Sequence, residues 1–134
     1  MTRIEAAIAV VMRNGKVLIC QRRDDDDALP GYWEFPGGKC EAGETLEQCV
    51  IRELREEVNI DARLITPLPP IEHDYPHASI RLHPFLCEHA NGEPELLECQ
   101  QAVWIEPHEL LDYRFPPANE ELIERVIAHF ARSR

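Results

Sequence analysis

Three glutamates, Glu53, Glu56 and Glu57, lie close together in the stretch GGKCEAGETLEQCVIRELREEVNI, residues 37–60. On a helix, residues three and four apart share a face, so Glu53 is crowded by both of the others, and each like-charged pair costs roughly 0.2–0.5 kcal/mol. A solvated face eased by Arg52 and Arg55 is one explanation. The other is a cluster of hard oxygen ligands for Mg²⁺ or Mn²⁺, cations that take few protein carboxylates and complete their shell with water or substrate phosphate oxygens. Context favours the cation. The Gly37-Gly38 pair opens the backbone to close approach shortly before the acidic face, and Glu44 adds a further acid that can lean back toward it.

Something must hold these side chains in place. Thr45 and Gln48 fit a capping box, and Leu46, Cys49, Val50, Leu54 and Val58 follow at helical spacing, so a helix is predicted over 46–58. Upstream, RIEAAIAVVMRNGKVLICQRR contains two β-rich runs joined by Asn14-Gly15, a dipeptide suited to the positive φ angles of a type I′ hairpin turn. YWEF makes a short strand before Pro36-Gly37-Gly38. Downstream, β-rich runs are predicted around ARLITPLPPIEHDY and ASIRLHPFLCEH, followed by Asn91-Gly92, an acidic loop and a short AVWI strand. In FPPANEELIERVIAHFARSR, proline precedes an apolar stripe of Leu122, Ile123, Val126, Ile127 and Phe130, with Arg132 and Arg134 at the basic end; this is a second helix. Strands mixed with two helices predict an α/β (α+β) sandwich with a mixed sheet between the helices.

At 134 residues, the chain is expected to form a single domain over 1–134. A net charge of −11 works against binding duplex nucleic acid, because that affinity rests on basic residues displacing counterions. Neither a membrane-spanning apolar run nor an export leader is evident, so a soluble, cytoplasmic protein is expected. The five cysteines contain no C-x-x-C pair, which argues for reduced thiols over a disulfide framework or zinc ribbon. The six histidines are scattered and form no ligand set. The acidic run at 24–27 is expected to be solvated loop charge, and no heptad run gives an oligomeric state.

With U an aliphatic residue, Gly38, Glu44, Arg52-Glu53-Leu54, Glu56-Glu57 and Ile60 fall on the pattern G-x5-E-x7-R-E-U-x-E-E-x-G-U, meeting eight of its nine fixed positions. This is the Nudix box, and the chain resembles the Nudix hydrolase family. The exception is Asn59 in place of glycine, a position ending the helix, where asparagine is the non-glycine residue best able to adopt a left-handed conformation. The resemblance implies an α/β/α sandwich and metal-dependent hydrolysis of a nucleoside diphosphate linked to another group. Glu53, Glu56 and Glu57 are the implied metal ligands, with the Gly37 carbonyl and with Glu98 reaching the metal from outside the box; Arg52 orients the carboxylates.

EFPGGKCEAGET, the Trp104 strand and FPPANEELIERV are most similar to the MutT branch of the family, which acts on 8-oxo-dGTP. That likeness implies a purine nucleoside triphosphate substrate, with Asn119 meeting the purine edge and Arg23, Glu34, Phe35, Gly37 and Lys39 contacting the nucleotide. Glu53 or Glu98 is the implied base, and Mg²⁺ (or Mn²⁺) the cofactor. Structural alternatives stand beside these roles: Asn119 as a helix cap, Arg23 as a solvated edge charge, and Trp33 and Trp104 as packing residues. DDDDALPGY and the segment at Pro76-His77-Ala78 depart from the MutT pattern, which bears on base specificity. A Nudix enzyme for CTP or oxidised pyrimidine triphosphates and a catalytically silent nucleotide-sensing module remain the alternative functions. All the box carboxylates are present, against the silent module. A structural Ca²⁺ domain lacks the D-x-D-x-D-G loop spacing.

Overall fold

The run Ala6–Val11 is apolar at every position, the pattern of a strand buried on both faces. In the computed structural model, described over residues 2–26 and 28–132, that run lies in the first strand, β1 (Thr2–Arg13). Ala6, Ile8 and Val10 join one core with Leu122, Ile123 and Val126, while Ala7, Ala9 and Val11 join another with Cys49, Val50 and Leu54. The even and odd side chains therefore serve two separate cores. Helix α1 (Leu46–Val58) covers the odd face and helix α2 (Glu120–Arg132) the even one. The result is the α/β/α sandwich expected.

Asn14 and Gly15 take φ angles of 51° and 77°, and the turn returns the chain as β2 (Lys16–Gln21). β3 (Trp33–Glu34) pairs with β2, and β4 (Gly37–Lys39) pairs with β1 at Ala6–Ile8. The β-rich run at 62–75 is two strands, β5 (Asp61–Pro67) and β6 (Ile71–Tyr75). Three prolines at 67, 69 and 70 explain the break, since proline cannot donate to a ladder. β7 (Ala78–Asn91) runs parallel to β1 from Thr2↔Ala78 to Met12↔Glu88, and antiparallel to β5 and β6. β8 (Gln101–Ile105) lies antiparallel to β2. The main strand order is β3-β2-β1-β7-β5, in a mixed sheet.

Both halves of the predicted capping box form: the Gln48 N–H donates to the Thr45 hydroxyl at 3.1 Å, and the Thr45 N–H to the Gln48 side chain at 2.9 Å. Asn59 closes α1 in the left-handed region, at φ 51° and ψ 48°. Asp27, within the acidic run, and Arg134, expected at the basic end of α2, lie outside the described residues. Among the described residues, no helix is long and apolar enough to cross a membrane.

Candidate active site

Cys49, Val50, Leu54 and Val58 anchor α1 to the sheet and thereby turn Glu53 and Glu57 along the flank of the buried stripe, beside the Gly37-Gly38 strand. The Gly37 N–H donates to Glu57 Oε2 at 3.2 Å. Gly37 is required by space, since a Cβ there would stand 2.3 Å from the Ala7 carbonyl oxygen; a Cβ on Gly38 would stand 2.6 Å from the Glu53 carboxyl carbon and displace that carboxylate. Backbone and carboxylate thus meet where only hydrogen atoms fit.

A cavity of about 240 Å³ opens at this junction, lined by Glu34, Glu53, Glu57 and Glu98, by Arg22 and by the glycines. Four glutamates facing one arginine set its electrostatics. Burial, then the charges of Glu34 and Glu53, raise the Glu57 pKa to about 9 against the pull of the Gly37 N–H. Burial also raises Glu34 and Glu53; Arg22 opposes the shift at Glu34, and Arg52 opposes it at Glu53.

Arg52 organises the outer side. Its guanidinium donates to Glu44 at 2.7 Å, to Glu53 at 3.0 Å, to Glu56 at 2.9 Å and to the Lys39 carbonyl at 3.0 Å. These bonds hold Glu44 down to a pKa of about 2, with help from the Glu41 N–H, and raise Arg52 above its ordinary value. Arg52 thus ties Glu44, Glu53 and Glu56 into one hydrogen-bonded group.

A second cavity, of about 170 Å³, is lined by Asn119, Phe35, Leu29 and Tyr75 and shares Arg22 and Glu34 with the first. Asn119 ends a 3-10 turn, Pro117–Asn119, and is buried; its N–H donates to the Pro116 carbonyl, while its side-chain amide has no hydrogen-bond partner among the described residues. It does not cap α2 through its side chain.

The structure brings together Glu34, Gly37, Glu53, Glu57 and Glu98 around the first cavity, and Glu34, Phe35 and Asn119 around the second. Glu56 stays at the rim, with its side chain 46% exposed and bonded to Arg52. Lys39 is exposed at the end of β4, and Arg23 donates to the Leu97 carbonyl at 3.1 Å outside both cavities. Arg22, not singled out from the sequence, faces both: it donates to Glu34 at 2.9 Å and to Asp26 at 3.0 Å. Two adjacent arginines at a strand end point to opposite sides, so choosing between them needs the register that the sequence alone does not supply. Asp26 also lines the first cavity, a departure from the purely solvated run expected. Trp33 and Trp104 pack as expected, Trp33 edge-on to Tyr113 at 4.9 Å and Trp104 beneath the Arg13 guanidinium at 4.2 Å.

No three histidine, cysteine or carboxylate groups among the described residues converge closely enough to hold a cation as they stand. The donor chemistry does fit one. Several hard carboxylate oxygens face a small polar cavity, and Glu57 is driven toward neutrality by burial and by the neighbouring Glu34 and Glu53 charges, which a divalent cation would offset.

Residues 1–126 match the NUDIX domain family. The chain belongs to the Nudix family. This Nudix chain is 36% identical over 128 residues to the CTP pyrophosphohydrolase of Escherichia coli K12, covering 96% of this chain and 94% of the relative. It is also 36% identical over 126 residues to the 8-oxo-dGTP diphosphatase of the same organism, covering 94% and 98%. The solution structure of the E. coli ORF135 protein matches with a TM-score of 0.84 at 36% identity, over 96% of this chain and 91% of that one. Nudix hydrolases generally use divalent metal ions, and the family places this chain among the hydrolases.

Proposed function

We propose that this chain is a single-domain, Mg²⁺-dependent nucleoside triphosphate pyrophosphohydrolase that converts 8-oxo-dGTP to 8-oxo-dGMP and pyrophosphate. The observation carrying this reading is the Asn119 side chain, which lines a cavity that shares Arg22 and Glu34 with the carboxylate cavity. An amide offers a donor and an acceptor side by side, which suits a bidentate contact to a purine edge.

Glu53, Glu56, Glu57, Glu98 and the Gly37 carbonyl would hold the metal. When bound, Mg²⁺ (or Mn²⁺) neutralises phosphate charge and makes its bound water a stronger acid. Glu53 or Glu98, both lining the cavity, accepts the proton of the water that attacks phosphorus. Arg52 fixes Glu53 and Glu56 in direction through its hydrogen bonds. Arg23 and Lys39 lie outside the cavities and meet the triphosphate as it extends from them, while the backbone of Phe35 adds hydrogen bonds to the nucleotide. The role that follows is cytoplasmic nucleotide-pool sanitation, with a free nucleotide rather than duplex nucleic acid as partner.

A second reading, hydrolysis of CTP or an oxidised pyrimidine triphosphate, is favoured by the equal 36% identity to the CTP pyrophosphohydrolase. The test compares kcat/KM for 8-oxo-dGTP, dGTP, CTP, 5-hydroxy-dCTP and ADP-ribose, with Mg²⁺ and then with EDTA. A preference for 8-oxo-dGTP that EDTA abolishes and Asn119→Ala erases is the expected result. A pyrimidine preference unaffected by Asn119→Ala would select the second reading. No hydrolysis with any divalent metal would leave the nucleotide-sensing module.

A further inference from the structure

Glu98 reaches the carboxylate cavity from the connection between β7 and β8, residues 92–100, which contains no helix or strand. A side chain on such a segment is placed only as well as the segment itself is anchored. The anchor here is the end of α1. The last carbonyls of a helix lack partners within it, and the loop supplies donors to them. The Glu95 N–H donates to the Val58 carbonyl at 2.9 Å, and the Leu97 and Glu98 N–H groups donate to the Glu57 carbonyl at 3.2 and 3.4 Å. Glu57 therefore turns its carboxyl to the cavity and its carbonyl to the loop that brings Glu98 there.

One feature of this docking works against it. A helix C-terminus carries partial negative charge, so the Glu95 carboxylate is unfavourable beside it unless a donor faces that carboxylate. Asn59 is that donor: its Nδ2 lies 2.6 Å from Glu95 Oε2. Asn59 is also the position at which the Nudix box has glycine. Glycine can make the left-handed turn seen here, at φ 51° and ψ 48°, but has no side chain to reach the loop. In this chain one residue both ends the helix and grips the segment carrying Glu98.

We propose that Asn59 is a positioning residue for Glu98: through Glu95 it pins the 92–100 loop to the end of α1 and so holds the Glu98 carboxylate at the cation site. The proposal rests on the reading of Glu98 as a metal ligand. Arg23 grips the same loop at the Leu97 carbonyl, at 3.1 Å, so losing the Asn59 contact loosens the loop without freeing it.

The test titrates the metal-free full chain with Mn²⁺, follows the free ion by electron paramagnetic resonance, and measures hydrogen exchange in parallel. Asn59→Gly keeps the left-handed turn, so its melting temperature should match or exceed that of the parent. Its Mn²⁺ dissociation constant should nevertheless rise, roughly three- to tenfold, as loss of one hydrogen bond to a charged group implies. Exchange at the Glu95, Leu97 and Glu98 amides should quicken. Glu95→Ala should reproduce both effects, and Glu95→Gln, which keeps an acceptor for Asn59, should restore slow exchange. Because Asn59 acts through Glu98, adding Asn59→Gly to Glu98→Gln should weaken Mn²⁺ binding no further than Glu98→Gln alone. Additive losses in that double variant would overturn the proposal, as would parental affinity and exchange in Asn59→Gly. Mn²⁺ affinity untouched by Glu98→Gln would instead overturn the ligand reading, and this proposal with it.

Discussion

In the metal-free chain the Glu57 carboxyl titrates near 9 instead of near 4.5, and the stability of the fold inherits that shift. A carboxyl whose folded pKa is raised keeps its proton in the native state while the unfolded chain gives it up. The native state therefore binds more protons between the two values, and stability falls as pH rises from about 4.5 toward about 9. Glu34 and Glu53, also raised, act in the same direction. Glu44, held down to about 2, acts oppositely, but only below about 4.5. The melting temperature of the EDTA-treated protein should thus drop between about pH 5.5 and about pH 8, Glu57→Gln should flatten that slope, and Mg²⁺ should stabilise the protein more at the higher pH. In turnover assays, Glu53→Gln should lower kcat by roughly 10²–10⁴-fold with little change in KM, as loss of a base or ligand that acts in the chemical step requires. Glu53 and Glu57 were legible in the sequence because helical spacing alone puts them on one face. Arg22 was not, because its direction depends on how β2 and β3 pair.

The same division holds for the elements. Helix α1 could be bounded from Thr45, Gln48 and the apolar stripe because its signals are local, whereas the division of 62–75 into β5 and β6 depends on each finding a separate register on β7. Thr45→Ala removes one half of the capping box and should cost about 1 kcal/mol in chemical denaturation, with kcat preserved while the fold persists. The paired glycines of β4 offer a sharper contrast. Gly37→Ala presses a methyl against the backbone of β1, which cannot yield, and should destabilise the protein by about 1–3 kcal/mol. Gly38→Ala presses against the Glu53 carboxylate, a side-chain end that can turn away. Its melting temperature should stay nearer that of the parent while kcat drops, so measuring both quantities on both variants separates backbone space from carboxylate placement.

For the whole molecule, the sandwich was readable because Ala6–Val11 is apolar at both parities and two amphipathic helices were available to cover the two faces. The joining of the two cavities was not readable, since it depends on the turn at Pro117–Asn119 coming to lie against Phe35 and Glu34, far away in the chain. The parallel pairing of β1 with β7 has a further consequence, in time. Thr2 finds its neighbour only at Ala78, and Met12 only at Glu88, so the centre of the sheet joins distant parts of the chain. On the ribosome, β1 emerges as an apolar strand whose partner has not yet been made, at a synthesis rate of roughly 5–20 residues per second. The acidic helix, being local, can form early, but the sheet that seats it must wait for β7. A nascent chain arrested before Ala78 has cleared the exit tunnel should remain sensitive to protease throughout β1, and one arrested after β7 has emerged should gain protection in β1 and β7 together.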